Sequence, residues 1–333
     1  MPVLTKDDPE ITKYQDYIKN ADFTSVTQTL EWGYVKSNWD GFYVYLGDID
    51  NHPTAAMSVL TINGLAYCSK GYVGDNFNVD TLDALVKEAL PALKERNCFL
   101  LRVDPEVPFD QELSDKLAEH GYVMRNRNLP LSEAHSTIQP RFNFVMNIEN
   151  AKPEDVIMTF HSKTRYNIRL AKRKGVTIES GDTQDFMDKF YETYKVMSDR
   201  HGITYRPKAY FDRMVEAFTG KDMMRIYLAY VDGEVIAGSI CFEYGDKAWY
   251  MYGGSLNSHR NYMAPHLLQW AMIEHAIADG KKRYDFGGIF GFDVSDGLYK
   301  FKHGFFKDSK YLEYIGEIDY VLDKERYDGF VNK

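Results

Sequence analysis

The chain has 333 residues, a formal net charge of −9, 44% hydrophobic and 27% charged residues, a balance that suits a folded protein with room for two domains. Such an acidic chain is a poor general binder of polyanions, so any nucleic acid has to meet a local basic surface. Three widely spaced cysteines, Cys68, Cys98 and Cys241, and the absence of HExxH or paired CxxC motifs argue against a metal centre or a disulfide frame and for a reducing compartment.

The N-terminus "MPVLTKDDPE" has no apolar stretch of the signal-peptide kind, and runs such as "VIAGSICF" are too short to cross a bilayer. The expectation is a cytoplasmic monomer without membrane insertion. In chain order, periodicity predicts helices over 9–20 and 27–38, then strands over 42–48, 55–62 and 65–73. A long amphipathic helix (79–97), a strand (98–104), a helix (110–121) and a strand (143–149) follow. The polar, proline-containing "NIENAKPED" marks a boundary near Asn150–Pro153. A basic helix comes next, and then the first order returns: helices over 185–202 and 207–220, strands over 224–233, 235–245 and 247–255. A helix (264–280), a strand (283–288), a helix (298–305) and a strand (311–321) complete it.

Two domains, 1–150 and 151–333, each reading ααβββαβαβ, imply a duplicated α/β fold with a mixed sheet. That order resembles the acyl-CoA N-acyltransferase (GNAT-like) fold. Members of that class hold the CoA pyrophosphate on a Q/R-x-x-G-x-G/A loop at a helix N-terminus. Neither "GYVGDNFNVDTL" nor "SLNSHRNYMAPHLL" supplies that loop, so the fold calls for another acyl donor.

"SKTRYNIRLAKRKG" (162–175) carries six cations, Lys163, Arg165, Arg169, Lys172, Arg173 and Lys174, and no acid. A solvated helix with cations at its C-terminal end explains part of this. It does not explain the missing acidic partners one turn away, whereas a phosphodiester backbone does.

This stretch resembles the signature of the Fem (FemABX) family of non-ribosomal peptidyltransferases, which build peptidoglycan cross-bridges from aminoacyl-tRNA. "VTQTLEWGYVKSNW", "LLRVDPEV", "HGITYRPKAYFDRM", "WYMYGGS", "YDFGGI", "LYKFKHGFF" and "EYIGEID" are similar to family blocks in the same order, from about residue 20 to 320. Asp185 to Gly202 reads as one helix and leaves no room for the helical-hairpin arm of FemA and FemB enzymes. The likeness is therefore to the single-residue-adding type that acts on UDP-MurNAc-pentapeptide. It implies two tandem GNAT-like domains, the first binding the UDP precursor and the second aminoacyl-tRNA, and no cofactor or metal.

Residue by residue, the resemblance places Lys36 and Arg206 at the UDP diphosphate, flanked by Thr204 and Tyr210 and lined by Trp39 and Tyr252. Each also fits a surface ion pair or a core aromatic. Lys302 matches the family's catalytic lysine, whose cation steadies the oxyanion and the departing 3′ oxygen, and Phe301 is placed under a base of the CCA end. His303 reads as structural. Asp104, at the end of a strand, is a carboxylate for holding or deprotonating the acceptor ammonium, with a water or a substrate phosphate as the alternative proton acceptors, and Glu317 is a second one for orienting the amine; a salt-bridged acid fits either equally well. Lys163 and Arg165 would hold the tRNA acceptor end. The expected donor is alanyl-tRNA, with serine or glycine as the alternatives. An acyl-CoA-dependent N-acyltransferase and a non-catalytic RNA-binding module are the competing readings.

Overall fold

A computed structural model describes residues 3–50, 52–130, 137–202, 204–308 and 310–332. The chain resolves into two compact units, Met1–Phe142 with Glu313–Lys333, and Asn143–Leu312.

The first unit begins with β1 (Val3–Leu4), α1 (Ile11–Asn20) and α2 (Leu30–Val35). The antiparallel run β2 (Asp40–Asp48), β3 (His52–Ile62) and β4 (Leu65–Ser69) follows, with β5 (Val73–Gly74) pairing β3. Next come α3 (Val79–Glu95), β6 (Leu100–Asp104), α4 (Gln111–Glu119) and β7 (Val123–Arg125). Asn78 caps α3, its side chain accepting from Thr81 N at 2.9 Å. Val79, Leu82, Leu85, Val86, Ala89 and Leu93 form the buried stripe of that helix and pack into a core with Phe42, Val44, Met57, Val59, Leu101 and Val103. Because α3 crosses over the sheet, β4 and β6 run parallel, and Ser69 lies opposite Asp104.

The second unit starts on β8 (Phe142–Asn147), α5 (Pro153–Val156), α6 (Ser162–Arg173) and β9 (Thr177–Gly181). Helices α7 (Gln184–His201) and α8 (Lys208–Phe218) lead into strands β10 (Met224–Val231), β11 (Glu234–Tyr244) and β12 (Lys247–Ser255). Then come α9 (Ala264–Ala278), β13 (Arg283–Ile289), α10 (Gly297–His303) and β14 (Leu312–Glu313). Helix α7 stops at Gly202, whose φ of 62° is the left-handed geometry glycine adopts without penalty. The core is aromatic: Phe160, Phe190, Phe211, Phe218, Phe242, Phe286, Tyr227 and Tyr284 are all fully buried. The high aromatic content thus goes largely to filling the interior.

The chain then returns to the first unit with β15 (Glu317–Val321) and α11 (Lys324–Val331). The first sheet runs β1-β2-β3-β4-β6-β15-β7 and the second β14-β8-β13-β12-β11-β10-β9. This corrects the expected domain limits. The break falls at 142/143 rather than 150, and residues 313–333 belong with the first unit. It also divides the expected strand 311–321 at Gly316, where φ is +92° and an added Cβ would lie 2.4 Å from Arg125 O. Strand β15 joins the first sheet because its buried acids find counter-charges there. Arg102 grips Asp319 with two hydrogen bonds of 2.7 Å and reaches Glu317 at 3.0 Å.

Candidate functional site

In the first unit, β6 delivers Asp104 at its C-terminal end, 7% exposed. Tyr67 Oη donates to Asp104 Oδ2, and the backbone N–H of Lys70 donates to Oδ1 at 2.6 Å. Lys70 turns its ammonium to Glu106 Oε1 at 2.5 Å. Burial raises the Asp104 pKa to about 7; the two hydrogen bonds and the Lys70 charge oppose that rise, and the Glu317 carboxylate adds to it. Glu317 itself, 1% exposed, is held by Arg102 at 3.0 Å, Arg125 Nε at 2.9 Å and the N–H of Ile138 at 2.6 Å. Three protein donors thus meet the Glu317 oxygens and two meet those of Asp104. Lys36 is the C-cap of α2, its ammonium 5.6 Å from the Trp32 ring centre, and Trp39 follows it, its backbone N–H donating to Lys36 O at 2.8 Å.

In the second unit, three expected ligand residues come together. Arg206 lies over the Tyr210 ring at 5.0 Å, and the Tyr210 and Tyr252 hydroxyls are 3.3 Å apart. Thr204 lies exposed two residues before Arg206. Burial holds both phenols above their usual pKa, so each remains an O–H donor.

Lys302 is 5% exposed on α10, a helix capped by Asp296, whose side chain accepts from Tyr299 N at 2.7 Å. Its Nζ donates to Gly288 O at 2.7 Å. Burial lowers the Lys302 pKa to about 8, with Asp285 and Asp296 limiting the fall. Asp285 is fully buried and accepts from the Gly287 N–H at 2.7 Å. An atom at the Cβ position of Gly287 would lie 3.5 Å from Lys302 Nζ and 3.7 Å from Trp249 Nε1, and the φ of +75° there favours glycine. Strand β12 therefore serves both groups, with Trp249 beside the ammonium and Tyr252 beside Arg206.

Phe301, half-buried, meets His266 at 5.2 Å and Phe305 at 5.5 Å, both edge-on. Phe305 is the fully buried member of that pair. Burial lowers the His266 pKa to about 4, and the Lys163 charge adds to this. Helix α6 buries Thr164, Asn167, Ile168 and Ala171 and packs on α9. Its start is tied to the end of α10, since His161 N–H donates to Gly304 O at 3.0 Å and Thr164 Oγ1 leaves Gly304 no space for a Cβ. The basic helix is therefore joined to the Lys302 segment. Lys163, Arg169, Lys172 and Arg173 are exposed, and none lies within 4.0 Å of a carboxylate among the described residues. Arg165 differs: its guanidinium donates to the carbonyls of Phe160 and Met158, so one face of it closes the preceding turn.

Sequence reasoning missed Tyr67, Lys70, Arg102 and Asp285. Asp285 carried a signal, an acid within an apolar strand beside two glycines. Tyr67 and Arg102 join the site through strand pairing, and Lys70 through the turn after β4, neither of which a local pattern reveals. Among the described residues no group of three or more His, Cys, Asp or Glu could hold a metal ion, and no helix is long and apolar enough to cross a membrane.

Two mixed sheets in tandem, each with strands joined through helices on its faces, define a duplicated GNAT-like acyltransferase fold. The chain superposes on a tandem GNAT protein from the clavulanic acid biosynthesis pathway with a TM-score of 0.53, at 10% identity, covering 96% of this chain and 98% of that one. It superposes on a crystal structure of FemX with a TM-score of 0.87, at 20% identity, covering 99% and 100%. A model of the FemAB family matches residues 10–234 and 232–330. The UDP-N-acetylmuramoylpentapeptide-lysine N(6)-alanyltransferase of Weissella viridescens is 43% identical over 98% of both chains. The chain belongs to the FemAB family.

Proposed function

We propose that the protein transfers one amino acid, alanine, from aminoacyl-tRNA to the lysine side-chain amine of UDP-MurNAc-pentapeptide, extending a peptidoglycan precursor. The observation that carries this is the full-length 43% identity to an alanyltransferase of that substrate. The buried Lys302 ammonium and the Asp104 carboxylate supply the two chemical functions such a transfer needs.

The donor ester is already activated, so the protein's task is positioning, proton removal and charge stabilisation. The acceptor lysine is an ammonium near neutrality, with an ordinary pKa of about 10.4. Asp104 accepts one of its protons and leaves a neutral amine. That nitrogen forms a bond to the ester carbonyl carbon, and the carbonyl oxygen becomes an oxyanion. Collapse breaks the bond to the ribose oxygen, which departs with Lys302 stabilising its charge and takes up the second proton released by the attacking nitrogen, leaving a neutral amide and a ribose hydroxyl. In the second unit Arg206, Tyr210, Tyr252 and Thr204 hold the UDP moiety, Arg206 offering its guanidinium fork to a phosphate; in the first unit Lys36 and Trp39 are the residues assigned to the same substrate. Glu317 acts through the charge it places near Asp104. Phe301 stacks under a terminal base of the tRNA, and the exposed cations of α6 take its backbone.

Incubation of the protein with alanyl-tRNA and UDP-MurNAc-pentapeptide, with mass spectrometry of the peptide, tests the assignment. One added alanine, abolished by prior RNase treatment, is expected. Product formed from acyl-CoA in the absence of RNA overturns it.

Two further outcomes are expected. Arg206→Ala removes a charge-assisted contact worth about 1.5–3 kcal/mol, so KM for the UDP substrate should rise about 10–100-fold while KM for aminoacyl-tRNA stays within about twofold. Lys163→Ala/Arg169→Ala should weaken aminoacyl-tRNA binding and reduce the slope of log affinity against log salt by about 1–2. Filter binding across a salt series reads both quantities, and an unchanged slope would remove α6 from the tRNA surface.

A further inference from the structure

We propose that Tyr67 is the positioning residue that keeps Asp104 a proton acceptor, its hydroxyl holding the carboxylate ionised and turned toward the incoming ammonium. This rests on the reading of Asp104 as the group that takes the amine's proton.

Taking a carboxylate out of water favours its neutral form, and a neutral Asp104 accepts nothing. Both oxygens of Asp104 meet a donor supplied by β4 and the turn after it. Parallel pairing of β4 with β6 sets Tyr67 opposite Arg102 and Ser69 opposite Asp104, so Tyr67 lies one pleat back on the same face. From there its hydroxyl reaches Oδ2. Lys70, at φ 51°, directs its N–H to Oδ1 at 2.6 Å. A phenol donating to an ionised carboxylate makes a charge-assisted bond, stronger than the same phenol makes to a neutral acid. Burial holds the Tyr67 pKa well above its ordinary value, with the Asp104 charge adding to this, so the hydroxyl keeps its proton while Asp104 titrates.

The other charged neighbours are already matched. Lys70 Nζ is paired with Glu106 at 2.5 Å, and Glu317 with Arg102 and Arg125 at 3.0 and 2.9 Å. Asp319 takes Arg102 and the Tyr327 hydroxyl, the latter at 3.0 Å. Glu317 is the acid whose charge reaches Asp104, and it raises the proton affinity there. The Tyr67 hydroxyl is the side-chain hydrogen bond that lowers that affinity.

The test is Tyr67→Phe in the full chain, with kcat/KM for UDP-MurNAc-pentapeptide measured from pH 6 to 9 at saturating alanyl-tRNA. The acidic limb should move up by about one pH unit, with KM for aminoacyl-tRNA unchanged. An acidic limb that does not move overturns the proposal. Incorporation of 3-fluorotyrosine at position 67 keeps the ring and strengthens the donor, so it serves where the phenylalanine variant does not fold. Its limb should move down, and a limb that stays or rises overturns the proposal equally. Asp104→Asn separates the two ideas. If that variant keeps the parent rate and profile, the proton-acceptor reading fails; if it is inactive and the Tyr67 variants leave the limb in place, only the role of Tyr67 fails.

Discussion

Lys302→Met should reduce kcat by about 10²–10³-fold, the usual cost of losing a donor aimed at a developing oxyanion, with KM for both substrates changed little. The variant should nevertheless fold at least as well as the parent. The ammonium is buried and its pKa is lowered to about 8, against about 10.4 in an unfolded chain. The unfolded chain therefore binds the proton more tightly, and the charge costs stability at every pH below about 8. Stability returns as pH rises from about 8 to 10.4. That cost is on the order of 3 kcal/mol at pH 7. Methionine removes it and keeps the stem volume, while leaving Gly288 O without its donor, a loss of about 1 kcal/mol. Single-turnover kinetics beside a thermal melt at pH 7 check both halves. Undiminished turnover would sink the assignment; lost turnover with a Tm lowered by many degrees would point to a structural lysine.

Asp104→Asn should cost about 10²–10⁴ in kcat at pH 7, the range for removing a positioned base. The deficit should narrow toward pH 8.5, because more of the acceptor amine is then neutral without help. Sterically the substitution is mild, since asparagine can still accept from the Lys70 N–H and can donate to the Tyr67 oxygen. The stability change runs the opposite way to the activity. With its pKa raised to about 7, against about 3.9 unfolded, Asp104 binds its proton more tightly in the folded state. Stability therefore falls as pH rises through that window, by on the order of 4 kcal/mol in full. Above pH 7 Asp104→Asn should gain most of that amount; near pH 4 it should gain nothing. Urea midpoints at pH 5 and pH 8 give the comparison, and equal gains at both would mean that Asp104 is not held at a raised pKa.

Much of the architecture was legible from local pattern. The helix expected over the basic stretch is present at 162–173, because Thr164, Asn167, Ile168 and Ala171 recur at helical spacing and form its buried face. Strands such as 247–255 were equally plain. What escaped was long-range. No periodicity shows that β8, at the end of the first repeat, hydrogen-bonds between β14 and β13, or that Glu317 and Asp319 meet arginines about 200 residues upstream. The same holds for the chemistry. Lys302 and Asp104 stood out as residue types within motifs, whereas Tyr67 matters only because β4 lies parallel beside β6. Arg165 shows the converse: as a charge it looked equivalent to Lys163, yet its guanidinium is partly engaged by two carbonyls of its own chain.

The place of β15 between β6 and β7 bears on how the protein is made. Arg102 and Asp319 are 217 positions apart, so at translation speeds of about 5–20 residues per second the nascent chain waits roughly 10–40 s for the missing strand. Throughout that interval β6 presents an apolar, unpaired border carrying an arginine with no counter-ion, a surface suited to mispairing with neighbouring nascent chains. Slowing synthesis of the intervening portion should therefore lower the soluble yield, because it lengthens the time for which that border stays uncovered.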